Sequence, residues 1–161
     1  MSSSNPYEDS LAASEVAIRS KPDDAKAWFD KCVALGYLNR HEDALAACEE
    51  ALRLKPEYAE AWDQKGVSLD NLGRSEEALR CFEEALRVKP DFAAALDNKG
   101  VVIGNLKGDK EALQYFEQAL KIDPDFAPAW HHKGIALEGL GCHDEAMAIG
   151  ASLRMKFEKM K

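Results

Sequence analysis

No apolar run in the 161 residues approaches the ~20 needed to cross a bilayer, so a membrane-spanning protein is not expected. The opening Met1-Ser2-Ser3-Ser4-Asn5-Pro6 has neither the basic stretch nor the apolar core of an export signal, and a cytoplasmic protein is expected. No C-x-x-C pair occurs among Cys32, Cys48, Cys81 and Cys142. Without an export signal these four are expected to be reduced thiols, three of them core residues and Cys142 exposed. Positive charge is also short. Lys and Arg number 21 against 29 Asp and Glu, and the net charge of −8 disfavours nucleic acid and acidic membrane surfaces as partners.

Catalytic and metal-binding patterns are missing too. Neither H-E-x-x-H nor G-x-S-x-G occurs. The run Gly104 to Lys110 does not complete a phosphate-binding G-x-x-x-x-G-K-[ST] and falls between two helical patterns rather than after a strand. His131 and His132 are neighbours on one helix and face different ways, while Cys142 and His143 lie roughly 15 Å away at the far end of that helix. No metal, no cofactor and no enzyme activity are expected. With 46% hydrophobic and 31% charged residues, the chain still has the composition of a folded domain.

Proline is scarce, at six residues, yet Pro22, Pro56, Pro90 and Pro124 stand 34 residues apart. Other columns keep the same interval: Trp28, Trp62, Leu96, Trp130; Cys32, Gly66, Gly100, Gly134; Leu35, Leu69, Ile103, Leu137; Ala44, Ala78, Ala112, Ala146; and Cys48, Phe82, Phe116. Within one unit Trp62, Gly66 and Leu69 fall at helical spacing, as do Ala78, Phe82 and Ala85. Between them lies Asn71-Leu72-Gly73-Arg74-Ser75, where Gly73 can end one helix and Ser75 is expected to cap the next. Lys89-Pro90-Asp91 closes the second helix, because proline cannot continue it. One such helix pair cannot bury its apolar face alone, so neighbours must stack.

Trp62-x-x-x-Gly66-x-x-Leu69 followed by Ala78, Phe82, Ala85 and Pro90 resembles the tetratricopeptide repeat. The resemblance implies an all-α fold, a right-handed α-α superhelix (solenoid) of helix-turn-helix repeats. It divides the chain into an N-terminal capping half-repeat helix at 6–22, repeats at 25–58, 59–92 and 93–126, and a degenerate fourth repeat with a C-terminal capping helix at 127–161. Ser10 and Ser14 stand where later repeats carry alanine and a large residue, which suggests a native cap. Lys31, Lys65, Lys99 and Lys133 depart from the family's usual leucine, their stems being able to cover apolar neighbours while the ammonium reaches water.

The family's first helices line a concave groove. In this chain the residues it implies there are Phe29, Val33, Tyr37, Asp63, Val67, Asp70, Asn71, Asp97, Val101, Asn105, His131 and Ile135. They describe an apolar floor flanked by acids, suited to a protein or peptide ligand with apolar side chains and some Lys or Arg. Chaperone-binding relatives clamp a terminal carboxylate with cationic residues. The matching positions here hold Phe29, Val33, Gln64, Ala94 and Asn98, or Asp63, Val67, Asn98, Pro128 and His132, so that clamp is not expected. The expected function is a non-catalytic scaffold for protein binding. The alternative is a structural protein that forms homo-oligomers through its terminal helices, using the stripe Ile149, Leu153, Phe157 and Met160.

Overall fold

The computed structural model describes residues 5–158, with side chains through residue 150. Among the described residues there are nine helices and no strand, an all-α solenoid architecture. The chain divides into two compact units, Met1–Pro90 and Asp91–Lys161. The first holds α1 (Pro6–Ser20), α2 (Ala25–Tyr37), α3 (His41–Leu54), α4 (Ala59–Asn71) and α5 (Ser75–Val88). The second holds α6 (Ala93–Lys107), α7 (Asp109–Ile122), α8 (Ala127–Gly139) and α9 (His143–Glu158). In each unit every helix packs on the next in sequence. First helices of consecutive repeats also touch, α2 on α4 in one unit and α6 on α8 in the other. Leu153, Phe157 and Met160 of the expected terminal stripe lie outside the described side chains.

The turn inside a repeat follows from one left-handed residue. Asn39, Gly73 and Gly141 take φ of 57°, 74° and 78° at equivalent positions. That reversal lets the next amide reach back along the helix, so Arg40, Arg74 and Cys142 donate to the carbonyls of Leu35, Leu69 and Leu137 at 2.9 Å each. The third repeat differs because Lys107 occupies this column. Its side chain disfavours φ > 0, so α6 runs on and Gly108, at φ 108°, makes the whole turn. Ser75 does not cap α5 as the sequence suggests. It is the first helical residue, and its hydroxyl donates instead to Asp70 Oδ1 at 2.7 Å.

Between repeats, the tryptophan column ties α2, α4 and α8 to the proline turn before each; α6 carries Leu96 in that column and has no indole to donate. The indole N–H groups of Trp28, Trp62 and Trp130 donate to the carbonyls of Pro22, Pro56 and Pro124 at 2.8–2.9 Å. Such a bond gives a turn carbonyl a partner and gives the large ring a fixed orientation. Lysine takes a defined place on the same helices. Lys31, Lys65 and Lys133 pair with Glu15, Glu49 and Glu117 at 3.0–3.2 Å, and each ammonium also lies 5.6–5.9 Å from the ring of Trp28, Trp62 or Trp130.

In α1, Ser10 is exposed and Ser14 is buried, its hydroxyl donating to the Leu11 carbonyl at 2.7 Å. The expectation of four reduced thiols is corrected. Cys32 and Cys48 are not free thiols. Their Cα atoms lie 5.3 Å apart across the α2–α3 contact and a disulfide joins them. The 16-residue separation hid this pairing, which emerges only when two antiparallel helices bring the columns face to face. Cys81 is buried and Cys142 half-buried, both unbridged.

Candidate functional site

The residues expected in the groove lie on first helices, and the structure sorts them into open, covered and engaged groups. In the first unit, Val33 and Val67 are half-buried on α2 and α4. Phe29 is half-buried with its ring 4.9 Å from that of Tyr58. Tyr37 remains 62% exposed although one ring face stacks on Tyr7 at 4.4 Å. Asp70 accepts the Ser75 hydroxyl, and the Asn71 amide donates to the Val67 carbonyl at 2.8 Å. Asp63 is buried. An open acidic flank is therefore not what α4 presents.

In the second unit α6 and α8 bring Val101, Asn105 and Ile135 around one open cavity of about 200 Å³, with Gly104 and Ala112 at its base and Phe116 behind. The cavity exists because Gly104 has no side chain; a Cβ there would come within 3.3 Å of Ala112. Ile135 is 56% exposed, Asn105 is exposed, and Val101 is half-buried. Asp109 lines the same cavity and adds a half-buried acid.

Asp97, expected as an open groove acid, is buried at 2%. Its two carboxylate oxygens lie 2.9 and 3.0 Å from Nδ1 of His132. The carboxylate accepts only, so Nδ1 carries the proton and donates. The His132 ring also lies 5.6 Å from Phe116, seating it on the cavity wall. His131 is exposed, its ring centre 5.5 Å from that of His132. Sequence reasoning placed Asp97 and His131 on this face but missed the Asp97–His132 bond. The available signal was the spacing of 35, one repeat plus one residue, between polar groups on stacked first helices.

The described residues contain no group of three or more His, Cys, Asp or Glu placed to hold a metal ion. Burial pushes the Cys81 thiol up to about 11, which leaves it protonated and a poor nucleophile near neutral pH. No helix among the described residues is long and apolar enough to cross a membrane.

Comparison with known proteins agrees with this architecture. Tetratricopeptide repeat patterns match residues 25–58, 59–92, 93–126 and 115–148. No curated protein sequence matches the chain significantly. Among solved structures, the thermophilic tetratricopeptide protein TTC0263 of Thermus thermophilus superposes with a TM-score of 0.83 at 23% identity, over 91% of this chain and 80% of that one. MamA residues 41 to the end from Desulfovibrio magneticus RS-1 gives 0.75 at 20% identity, over 96% and 87%. YrrB, described as a tetratricopeptide protein with an unusual peptide-binding site, gives 0.69 at 28% identity, over 88% and 73%. With four matches running from residue 25 to residue 148 and helices paired throughout, the chain belongs to the tetratricopeptide repeat family.

Proposed function

We propose that the protein is a non-catalytic cytoplasmic scaffold that binds a peptide or partner protein on its first-helix face, with the α6–α8 cavity as the main anchoring point. The observation that carries this reading is the open apolar wall of Val101 and Ile135 beside Asn105 and Asp109. Such a wall accepts one apolar side chain of a ligand, and the polar rim fixes its backbone. The net charge of −8 favours a ligand that also carries Lys or Arg, by steering its approach. That YrrB is described as having a peptide-binding site supports peptide recognition by this fold.

The test begins with a displayed peptide library selected on the full chain, followed by fluorescence anisotropy on the recovered sequences. Selected peptides are expected to combine large apolar side chains with Lys or Arg. Ile135→Lys places a cation in the cavity mouth and should weaken binding at least about tenfold, the effect of losing a central anchor. Gln118→Lys, on the exposed side of α7, makes the same charge change elsewhere and should leave affinity unchanged. Equal binding by wild type and Ile135→Lys, with unaltered helical content, would refute the assignment. Light scattering on the same samples separates ligand binding from self-association.

A further inference from the structure

Repeats two and three share a packing device. An ideal Cβ added to Gly66 would lie 2.6 Å from Phe82 Cε1, and one added to Gly100 would lie 2.6 Å from Phe116 Cε1. In each repeat an aromatic ring from the second helix fills the notch left by a glycine on the first. The first repeat puts Cys32 in the glycine column and Cys48 in the aromatic column. Both are 0% exposed and they are bonded to each other. A single change would clash or leave a void; changing both columns together gives two mid-sized side chains that meet halfway. The pair sits in the first repeat's core with Leu35, Ala44 and Ala47, against Leu11 and Trp28.

We propose that Cys32 and Cys48 form a reversible thiol–disulfide site, oxidised by a low-molecular-weight disulfide such as oxidised glutathione, whose state sets the stability of the α2–α3 pair. A thiolate of the pair attacks the small disulfide, forming a mixed disulfide and releasing one small thiolate. The second cysteine's thiolate then attacks the protein sulfur of that mixed bond and expels the other. The two protein thiols give up two electrons and two protons; the oxidant takes both and becomes two thiols. Because both sulfurs are fully buried, each exchange passes through a transient opening of α2 from α3. Reduction leaves two thiols where repeats two and three have a ring, with neither the cross-link nor an aromatic filling the space. In a glutathione-reduced compartment the first repeat is thereby weaker than in an oxidising one.

Thiol counting on the full chain tests the site. After equilibration with oxidised glutathione and denaturation, two of the four cysteines should react with Ellman's reagent, and all four after reduction. Non-reducing peptide mapping should recover the Cys32 and Cys48 peptides linked. Reductant should lower the melting temperature by roughly 10 °C, the effect expected for a loop of this length in a chain of this size. The Cys32→Gly/Cys48→Phe variant rebuilds the ring-on-glycine pair and should melt at a temperature indifferent to reductant, above that of the reduced wild type. Four free thiols after oxidative equilibration, or a wild-type melting temperature unmoved by reductant, would overturn the proposal. The thiol count reads the wild type alone and holds even where a variant does not fold.

Discussion

Phe82→Ala is expected to destabilise the first unit by about 3–5 kcal/mol, the usual cost of emptying a buried aromatic site. Phe82 is 1% exposed, and its ring occupies the notch above Gly66. The partner glycine gives the sharper result, because its substitution should change sign with background. In the wild type, Gly66→Ala drives a methyl to within 2.6 Å of the ring, and the overpacking cost of about 1–3 kcal/mol outweighs the ~1 kcal/mol gained in helix propensity. In the Phe82→Ala background the clash is gone, so the same substitution should stabilise. Urea unfolding of the two single variants and the double variant measures the coupling. Additive effects would show that ring and glycine do not share one space.

His132→Leu should cost about 2–3 kcal/mol at neutral pH. It removes the imidazole donor from a carboxylate that is 2% exposed, and a buried charge stripped of its partner is expensive. The figure sits below the cost for a fully buried pair because the His132 side chain is 31% exposed and water can partly replace it. Adding Asp97→Leu should recover at least about 1 kcal/mol, since two apolar side chains in mutual contact no longer strand a charge. His132→Gln, which keeps an N–H donor, should lose less than His132→Leu. Denaturant unfolding checks all three. Equal losses for the leucine single and double variants would mean that the carboxylate is not held by the imidazole.

Repeat architecture was legible from sequence because each column meets the same neighbours every 34 residues, so packing imposes one residue type again and again. Trp62 announces a contact that Trp28 and Trp130 reproduce, and Phe82 one that Phe116 reproduces. What escaped were contacts that only one repeat makes. Asp97–His132 joins two first helices at a spacing no column defines. Cys32 and Cys48 stood in view in the glycine and aromatic columns, but each column alone gives no reason to bond; the pairing needs the antiparallel geometry of α2 and α3. The turn after α4 misled for a different reason. A serine before two glutamates reads as a cap, yet Arg74 takes the cap position and Ser75 is already the first helical residue, its hydroxyl donating to Asp70.

The same limit applies to the candidate site. The first helices were placed correctly in sequence, but the charge of their exposed face was overcounted. Asp63 and Asp97 are buried, and Asp70 accepts the Ser75 hydroxyl at 2.7 Å. Side-chain partners decide whether an acid is free to meet a ligand, and partners follow from packing. The apolar wall survives this sorting: Ile135 is 56% exposed and Val101 half-buried.

The most direct test is a methyl NMR titration of the full chain with a peptide recovered by selection. Methyl signals of Val101 and Ile135 should shift together and saturate at one equivalent, while Ile122 at the far end of α7 stays still. Saturable shifts at Ile122 with Val101 and Ile135 unmoved would contradict a ligand site on the α6–α8 face.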